Sequence, residues 1–359
     1  MDTLDNGRLK PHFAMNGGYG PLSYVKNSSY QGGVLESAKA IIEEEIATNL
    51  DISTNQIKNT FCLADFGCST GKNSFPAMHT IIEAIKRKHE SSDLKTPEFH
   101  VFLNDVVTND FHTLFRSLPP QRDYGVAAVP GDFHGRLLPQ SSIDFAYSSW
   151  SLHWLTEVPR AVADRDSPAW NGGEIFYCRE RRVVYEAYLH QFERDLEAFL
   201  KSRTVEMVEG GIMALLIPGV PEFWDPRKEF TVVSTVELLR SSLIDMAKKG
   251  RLSKAKLESL NFPHYFPTPQ ELSAILQRSP NFSIERMEIL KTETFLNAQG
   301  HTSCFRAVHQ TMLTHHFGAE IVDELFDLYR KKLEASPAFS MPDNDRTIVL
   351  LTILKRIII

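Results

Sequence analysis

Residues 60–73 read TFCLADFGCSTGKN. An apolar run, Phe61 to Phe66, carries an acid at Asp65 and drops into a loop of Gly67, Cys68, Ser69, Thr70 and Gly71. A buried strand that hands a small molecule to a turn has this form. The spacing narrows the choice of molecule. A phosphate loop needs GxxxxGK followed by Ser or Thr, whereas Gly67 and Gly71 enclose three residues and Lys72 is followed by Asn73. The dinucleotide fingerprint GxGxxG fails at Ser69. A third ligand class, S-adenosylmethionine (SAM), has no pyrophosphate to cradle. It needs close backbone approach to its amino-acid end, and acids for its ammonium and its ribose hydroxyls.

Outward from this loop, short apolar runs predict strands near 61–66, 98–104, 125–129, 143–148 and 211–217, with weaker ones near 282–289 and 347–354. Continuous apolar runs without strict alternation are typical of parallel strands buried on both faces. Between the first two, Met78, Ile81, Ile82 and Ile85 recur at helical spacing, which predicts a right-handed βαβ unit. Tyr185, Tyr188, Leu189, Phe192, Leu196 and Phe199 form a second helical stripe, read as core packing, before a break at Gly210-Gly211. Residues 220–280 read as helical with no strand candidate, and 308–335 as helical again.

The whole chain bounds the function. Its 359 residues, 42% hydrophobic, are enough for a sizeable core, and a formal charge of −6 with no basic tract disfavours a nucleic-acid surface. Four cysteines lie far apart with no CxxC spacing, which fits a reducing compartment and argues against a zinc knuckle or disulfide framework. The first twenty residues lack the apolar core of a signal peptide, and no run approaches the roughly 18 apolar residues that span a bilayer. A cytoplasmic protein without membrane partners is the expectation.

Successive strand ends supply what SAM requires. Asp65 faces the positive end, with Gly67 giving backbone approach. The second strand closes as VFLND at Asp105, placed to accept from both ribose hydroxyls. The third leads into VPGDFHGRLLP, where Asp132 can meet the adenine amine and Phe133 can stack on the ring. A lone Asp after a strand is usually a cap or turn former; the ordered set is far more specific.

These residues resemble the plant SABATH methyltransferases. The likeness runs through MNGGYGPLSYVKNSSYQ, LADFGCSTGKN, FLNDVVTNDFHTLF, VPGDFHGRLLP, SSWSLHWLTEVP, FPHYFPTPQEL and FRAVHQTMLTHHFG, and so covers nearly the whole chain. It implies an α/β fold: a Rossmann-like methyltransferase sheet of about seven mostly parallel strands with an α-helical cap. The core is expected over 1–160, 180–219, 281–307 and 340–359, and the cap over 161–179, 220–280 and 308–339. The resemblance also implies a homodimer, SAM as methyl donor, and a small carboxylic acid or, less often, a xanthine nitrogen as acceptor. By motif, Tyr24, Ser28, Cys68, Asn73, Asp105 and Val106 should line the donor pocket, together with Asp132, Phe133, Ser148 and Ser149. Gln31 and Trp154 should hold the acceptor carboxylate, flanked by His153 and Trp150. Tyr24, Val236, Phe305 and Val308 should complete that pocket.

The chemistry agrees with this division. A carboxylic acid with a pKa near 4 is already a nucleophile at pH 7, so no general base is required. The protein must hold the carboxylate in line with the sulfonium methyl, roughly 3–3.5 Å away, and exclude water. An amide and an indole N–H orient an anion without blunting its nucleophilicity. His153 below an ordinary pKa of about 6.5 would add an ion pair and tighten the acceptor toward acid pH. Val236, Phe305 and His153 replace the tryptophan and two methionines of salicylate-type members, which argues for a larger or more polar acid. A magnesium site of some family members falls on Cys178 here, with Glu258 and Asn261 matching only roughly, so no metal is expected. Three alternatives stay open: an N-methyltransferase acting on a xanthine-like heterocycle, a non-catalytic small-molecule binder, and more distantly a nicotinamide oxidoreductase.

Overall fold

The computed structural model describes residues 13–52, 59–225, 228–291, 296–340 and 345–358. Seven strands form one sheet: β1 (Thr60–Phe66), β2 (Glu98–Asp105), β3 (Tyr124–Pro130), β4 (Ile143–Ser149), β5 (Met207–Gly219), β6 (Phe282–Leu290) and β7 (Ile348–Arg356). Their order is β3-β2-β1-β4-β5-β7-β6. The pairs β3-β2, β2-β1, β1-β4 and β4-β5 are parallel, while β7 runs antiparallel between β5 and β6. All seven expected strands are present, and the sheet is mostly parallel as expected. One local reading changes. Gly210-Gly211 does not precede β5 but lies inside it, where the register with β4 jumps from Ile143↔Met207 to Phe145↔Ile212. Gly210 has φ +75°, and a Cβ on Gly211 would sit 2.9 Å from the Asp144 carbonyl oxygen. Glycine here makes a bulge, not a stop.

The helices are α1 (Tyr24–Asn27) and α2 (Ser29–Asn49) before β1, α3 (Ser74–Ser91) between β1 and β2, and α4 (Phe111–Arg116) after β2. Then α5 (Arg160–Ala163) and α6 (Arg182–Glu206) join β4 to β5. Next, α7 (Val232–Lys248), α8 (Lys254–Ser259) and α9 (Pro269–Gln277) join β5 to β6. Finally, α10 (Ala298–Phe317), α11 (Ala319–Glu334) and α12 (Pro337–Ser340) join β6 to β7. Alternate residues of one strand face opposite layers. Leu63 packs with Val34 and Ile81 of α2 and α3, while Ala64 and Phe66 pack with Phe199 of α6. The second stripe is core as read, with Tyr188, Phe192, Leu196 and Phe199 all buried.

Helix α11 packs on both α7 and α10, which places these three together. The expected boundary at 307/308 falls inside α10. The spans 1–160, 220–280, 281–307 and 340–359 each include residues outside those described, and so does most of the stretch read for a signal peptide. Among the described residues no helix is long and apolar enough to cross a membrane.

Candidate active site

The strand order reverses between β1 and β4, and the loops at the carboxyl ends of β1, β2 and β4 meet there, the usual ligand position in such sheets. Gly67 (φ +93°) turns the chain out of β1. A Cβ at that position would lie 1.9 Å from Ser151 Oγ, so only glycine lets the two loops approach this closely. The Gly67 and Cys68 N–H groups both donate to the Asn104 carbonyl at 2.9 Å, tying the β1 loop to the end of β2.

Asp105 accepts from the Ser69 N–H at 2.7 Å and the Val106 N–H at 2.8 Å, one on each carboxyl oxygen. Ser69 has φ +48° and borders the same cavity as Asp105, a contribution the sequence reading missed. Burial raises the Asp105 carboxyl to about 6, against those two donors. Asp65, 2% exposed, is raised to about 7, first by burial and further by Asp105, with Ser74 opposing. Asp65 itself is not among the residues that border the cavity shared by Ser69 and Asp105.

The loop after β3 is locked from below by α6. Arg203, fully buried, donates to the carbonyls of Phe133 (2.7 Å) and Gly135 (2.9 Å) and to Glu206 (2.7 Å). Glu206 in turn accepts from the Leu137 N–H and from the Leu138 N–H (2.8 Å). The Arg203 guanidinium lies 4.2 Å over the Phe66 ring. This fixes Phe133, edge-on to Phe199, and leaves Asp132 accepting from His134 Nδ1 at 2.7 Å. Asp132, Phe133, Asp105, Val106, Gly67 and Ser149 border one cavity. Ser148, by contrast, is buried and donates to the Phe66 carbonyl at 2.8 Å. Cys68 is buried beside the loop, its carbonyl accepting from Ser74 Oγ at 3.1 Å.

The amino-terminal arm closes the front. The Asn16 N–H donates to the Ala307 carbonyl of α10, and the Gly18 N–H donates to Asp110, the cap of α4, both at 2.8 Å. Asn73 Nδ2 donates to the Ser28 carbonyl at 3.1 Å, and its side chain also bonds Tyr24, whose hydroxyl burial keeps protonated. The buried Ser28 hydroxyl has no partner among the described residues. Gln31 Oε1 accepts from Cys304 Sγ at 3.4 Å, which leaves Nε2 as the donor end of the amide.

A second cavity adjoins the first. It is bordered by Gln31, His153, Val236, Phe305 and Val308, and shares Met15, Tyr24, Trp150 and Trp154 with the strand-end cavity. Trp150 (φ +56°) buries an indole N–H without a partner among the described residues, a donor that the sequence reading gave only to Trp154. Trp154 stands edge-on to His264 at 4.0 Å and stacks on His309 at 5.8 Å. Neither imidazole was singled out from sequence, although both lie in quoted motifs; a histidine four residues after Phe305 on an apolar helix face was the available signal.

The expected protonation of His153 near pH 6.5 is overturned. Burial, then the neighbouring His309, lowers its pKa to about 3, so it is a neutral ring stacked 5.4 Å from Phe266. His309 is lowered to about 4 by burial, and His264 well below its ordinary value by burial and the other two. Three close imidazoles cannot share one dry pocket as cations.

A larger cavity of about 440 Å³ lies between α7 and the 176–180 and 220–224 segments, and touches none of the strand-end acids. Cys178 borders it, while Glu258 is paired with Arg165 (2.8 Å) and Asn261 accepts from Asn171 (2.9 Å). No group of three or more His, Cys, Asp or Glu side chains that could hold a metal occurs among the described residues.

A sequence model of the family described as "SAM dependent carboxyl methyltransferase" matches residues 10–357. The chain belongs to the SAM dependent carboxyl methyltransferases. It is 43% identical to loganic acid O-methyltransferase of Catharanthus roseus over 89% of this chain and 88% of that one. A solved loganic acid methyltransferase structure with SAH superposes with a TM-score of 0.91, at 40% identity, covering 96% of this chain and 98% of the other. A 3,7-dimethylxanthine N-methyltransferase of Camellia sinensis var. assamica is 31% identical over 98% of this chain and 99% of its own length.

Proposed function

We infer that this chain moves the methyl group of SAM onto the carboxylate of a small plant acid, giving a methyl ester. The observation that carries this reading is the wall of Met15, Tyr24, Trp150 and Trp154 common to the strand-end cavity and the acceptor cavity. SAM, when bound, supplies an electrophilic methyl on a cationic sulfur. Asp65 takes the ammonium, Asp105 the ribose hydroxyls, and Asp132 with Phe133 the adenine. Gln31 Nε2, whose Oε1 is taken by Cys304, and the indole N–H groups of Trp154 and Trp150 orient the acceptor carboxylate. The arm over 16–31 and a cap formed by α7 to α11 exclude water.

No residue is asked to remove a proton. His153 at about 3 and His309 at about 4 are neutral at pH 7 and weak as bases. A carboxylate needs none, whereas a heterocyclic N–H must lose its proton; this favours oxygen over nitrogen as the acceptor atom. The family resemblance supports a homodimer, and four widely spaced cysteines, none of them in a disulfide, support a cytoplasmic location. The test is a panel of plant acids and xanthines with methyl-labelled SAM. Label is expected in alkali-labile esters; label in xanthines alone would refute the reading.

A further inference from the structure

The acceptor cavity contains a hydrogen-bond acceptor whose protonation state the geometry fixes. His309, 5% exposed, lies on α10 with Nδ1 2.9 Å from the Phe305 carbonyl oxygen one turn earlier. A carbonyl has no proton to give, so Nδ1 carries the hydrogen. A neutral imidazole has only one such hydrogen, and burial keeps this ring neutral. Nε2 is therefore a bare lone pair. His309 is one of the residues that border the acceptor cavity, and its Nε2 is buried without a partner among the described residues. His264 lies nearby, with ring centroids 5.1 Å apart, but no hydrogen bond joins them, and its own Nε2 is buried and unpartnered too.

Such an atom is costly to bury alone. A carboxylate cannot satisfy it, because both are acceptors. The occupant must donate. Much of the remaining wall is apolar, with Val236, Phe305, Val308 and Phe266, while Tyr30, Thr235, His301 and Cys304 add polar edges. The ring of Trp154 stacks on His309 with centroids 5.8 Å apart, so both rings belong to one wall of the cavity.

Resting on the carboxyl-methylation reading above, we propose that His309 Nε2 is a specificity-determining acceptor, and that the acid this site takes carries on its mainly apolar body a hydroxyl that donates to it.

The test compares acids that differ by one hydroxyl: benzoate with its 3- and 4-hydroxy derivatives, and cyclohexanecarboxylate with its 3- and 4-hydroxy derivatives. In the unaltered enzyme at least one hydroxylated acid should exceed its parent in kcat/KM by roughly 10-fold or more, as expected for one buried hydrogen bond. His309→Phe should abolish that ratio by raising KM for the hydroxylated member alone, and His309→Gln, which keeps an acceptor oxygen, should restore part of it. S-adenosylhomocysteine affinity near that of the unaltered chain certifies the fold of each variant. If His309→Phe does not fold, the ratio in the unaltered enzyme and in His309→Gln decides. No hydroxyl preference, or a preference that survives in His309→Phe, overturns the proposal. If no acid yields an ester, the carboxyl-methylation reading fails separately, and calorimetric binding of the same acid pairs still reports on His309.

Discussion

Trp154 and His264 form an isolated antiparallel bridge, and their rings meet edge to face with centroids 4.0 Å apart and planes at 83°. The loop after β4 is thereby joined to the segment that leads into α9, so the proposed carboxylate-binding indole is aimed by a residue more than a hundred positions away. His264→Ala should raise the acceptor KM by about 10-fold, since an unpropped indole loses its alignment. Donor affinity should stay within about 2-fold. A parallel loss of donor binding would show that the bridge serves the whole fold and not the acceptor.

Asp105→Ala should weaken binding of S-adenosylhomocysteine by about 10-fold or more in calorimetry. Two effects combine, because the ribose loses a charged acceptor and the Ser69 and Val106 N–H groups lose theirs. Asp105→Asn, which keeps one acceptor oxygen, should fall between. Unchanged affinity in both variants would remove Asp105 from the donor site.

Donor binding should depend on pH with a definite sign. Asp65 is raised to about 7 and Asp105 to about 6, and SAM favours both as carboxylates. Donor affinity should therefore fall as the pH drops from 8 to 5, with protons released on binding near neutrality. The folded pKa values lie above the ordinary carboxyl value. The stability these two groups contribute to the donor-free chain is thus complete at acid pH and lost as the pH rises through 6 to 7. The increase in melting temperature produced by donor should consequently grow over the same window. Affinity flat across pH 5–8 would contradict the assignment.

With donor saturating, maximal turnover should show no histidine limb near pH 6.5, because His153 is already neutral there. The acceptor KM should not tighten toward pH 6 either. An ascending limb near 6.5 that disappears in His153→Gln would return His153 to the role of base.

Glu206→Ala should cost about 3–5 kcal/mol of stability in denaturant unfolding, since it strands a fully buried Arg203. The Leu137 and Leu138 N–H groups also lose their acceptor. A loss under 1 kcal/mol would mean that the loop after β3 is held by other contacts.

The sheet could be read from sequence because each strand is a continuous apolar run, and a parallel strand buried on both faces has no other way to be written. The strand-end acids followed from the same logic, and Asp105 and Asp132 do border one cavity with Gly67. Gly210-Gly211 misled because a bulge and a break use the same residues; only pairing with β4 distinguishes them. The acceptor pocket was half visible. Gln31, Trp154 and Val236 lie in it, but His264 and His309 gain their meaning from neighbours distant in the chain. The neutral state of His153 was invisible for the same reason, since desolvation belongs to the packed pocket. Nothing in the sequence marks Arg203 and Glu206 as a buried pair; the loop after β3, laid over them, gives them that role.

The most direct test of carboxyl methylation uses a hydroxylated acid with both carboxyl oxygens as oxygen-18, together with SAM carrying a deuterated methyl. The account predicts one alkali-labile product that contains the labelled methyl and both heavy oxygens, because the carboxylate attacks intact. Loss of a heavy oxygen, or a labelled methyl that resists alkali on a nitrogen-bearing acceptor while no acid is esterified, would contradict it.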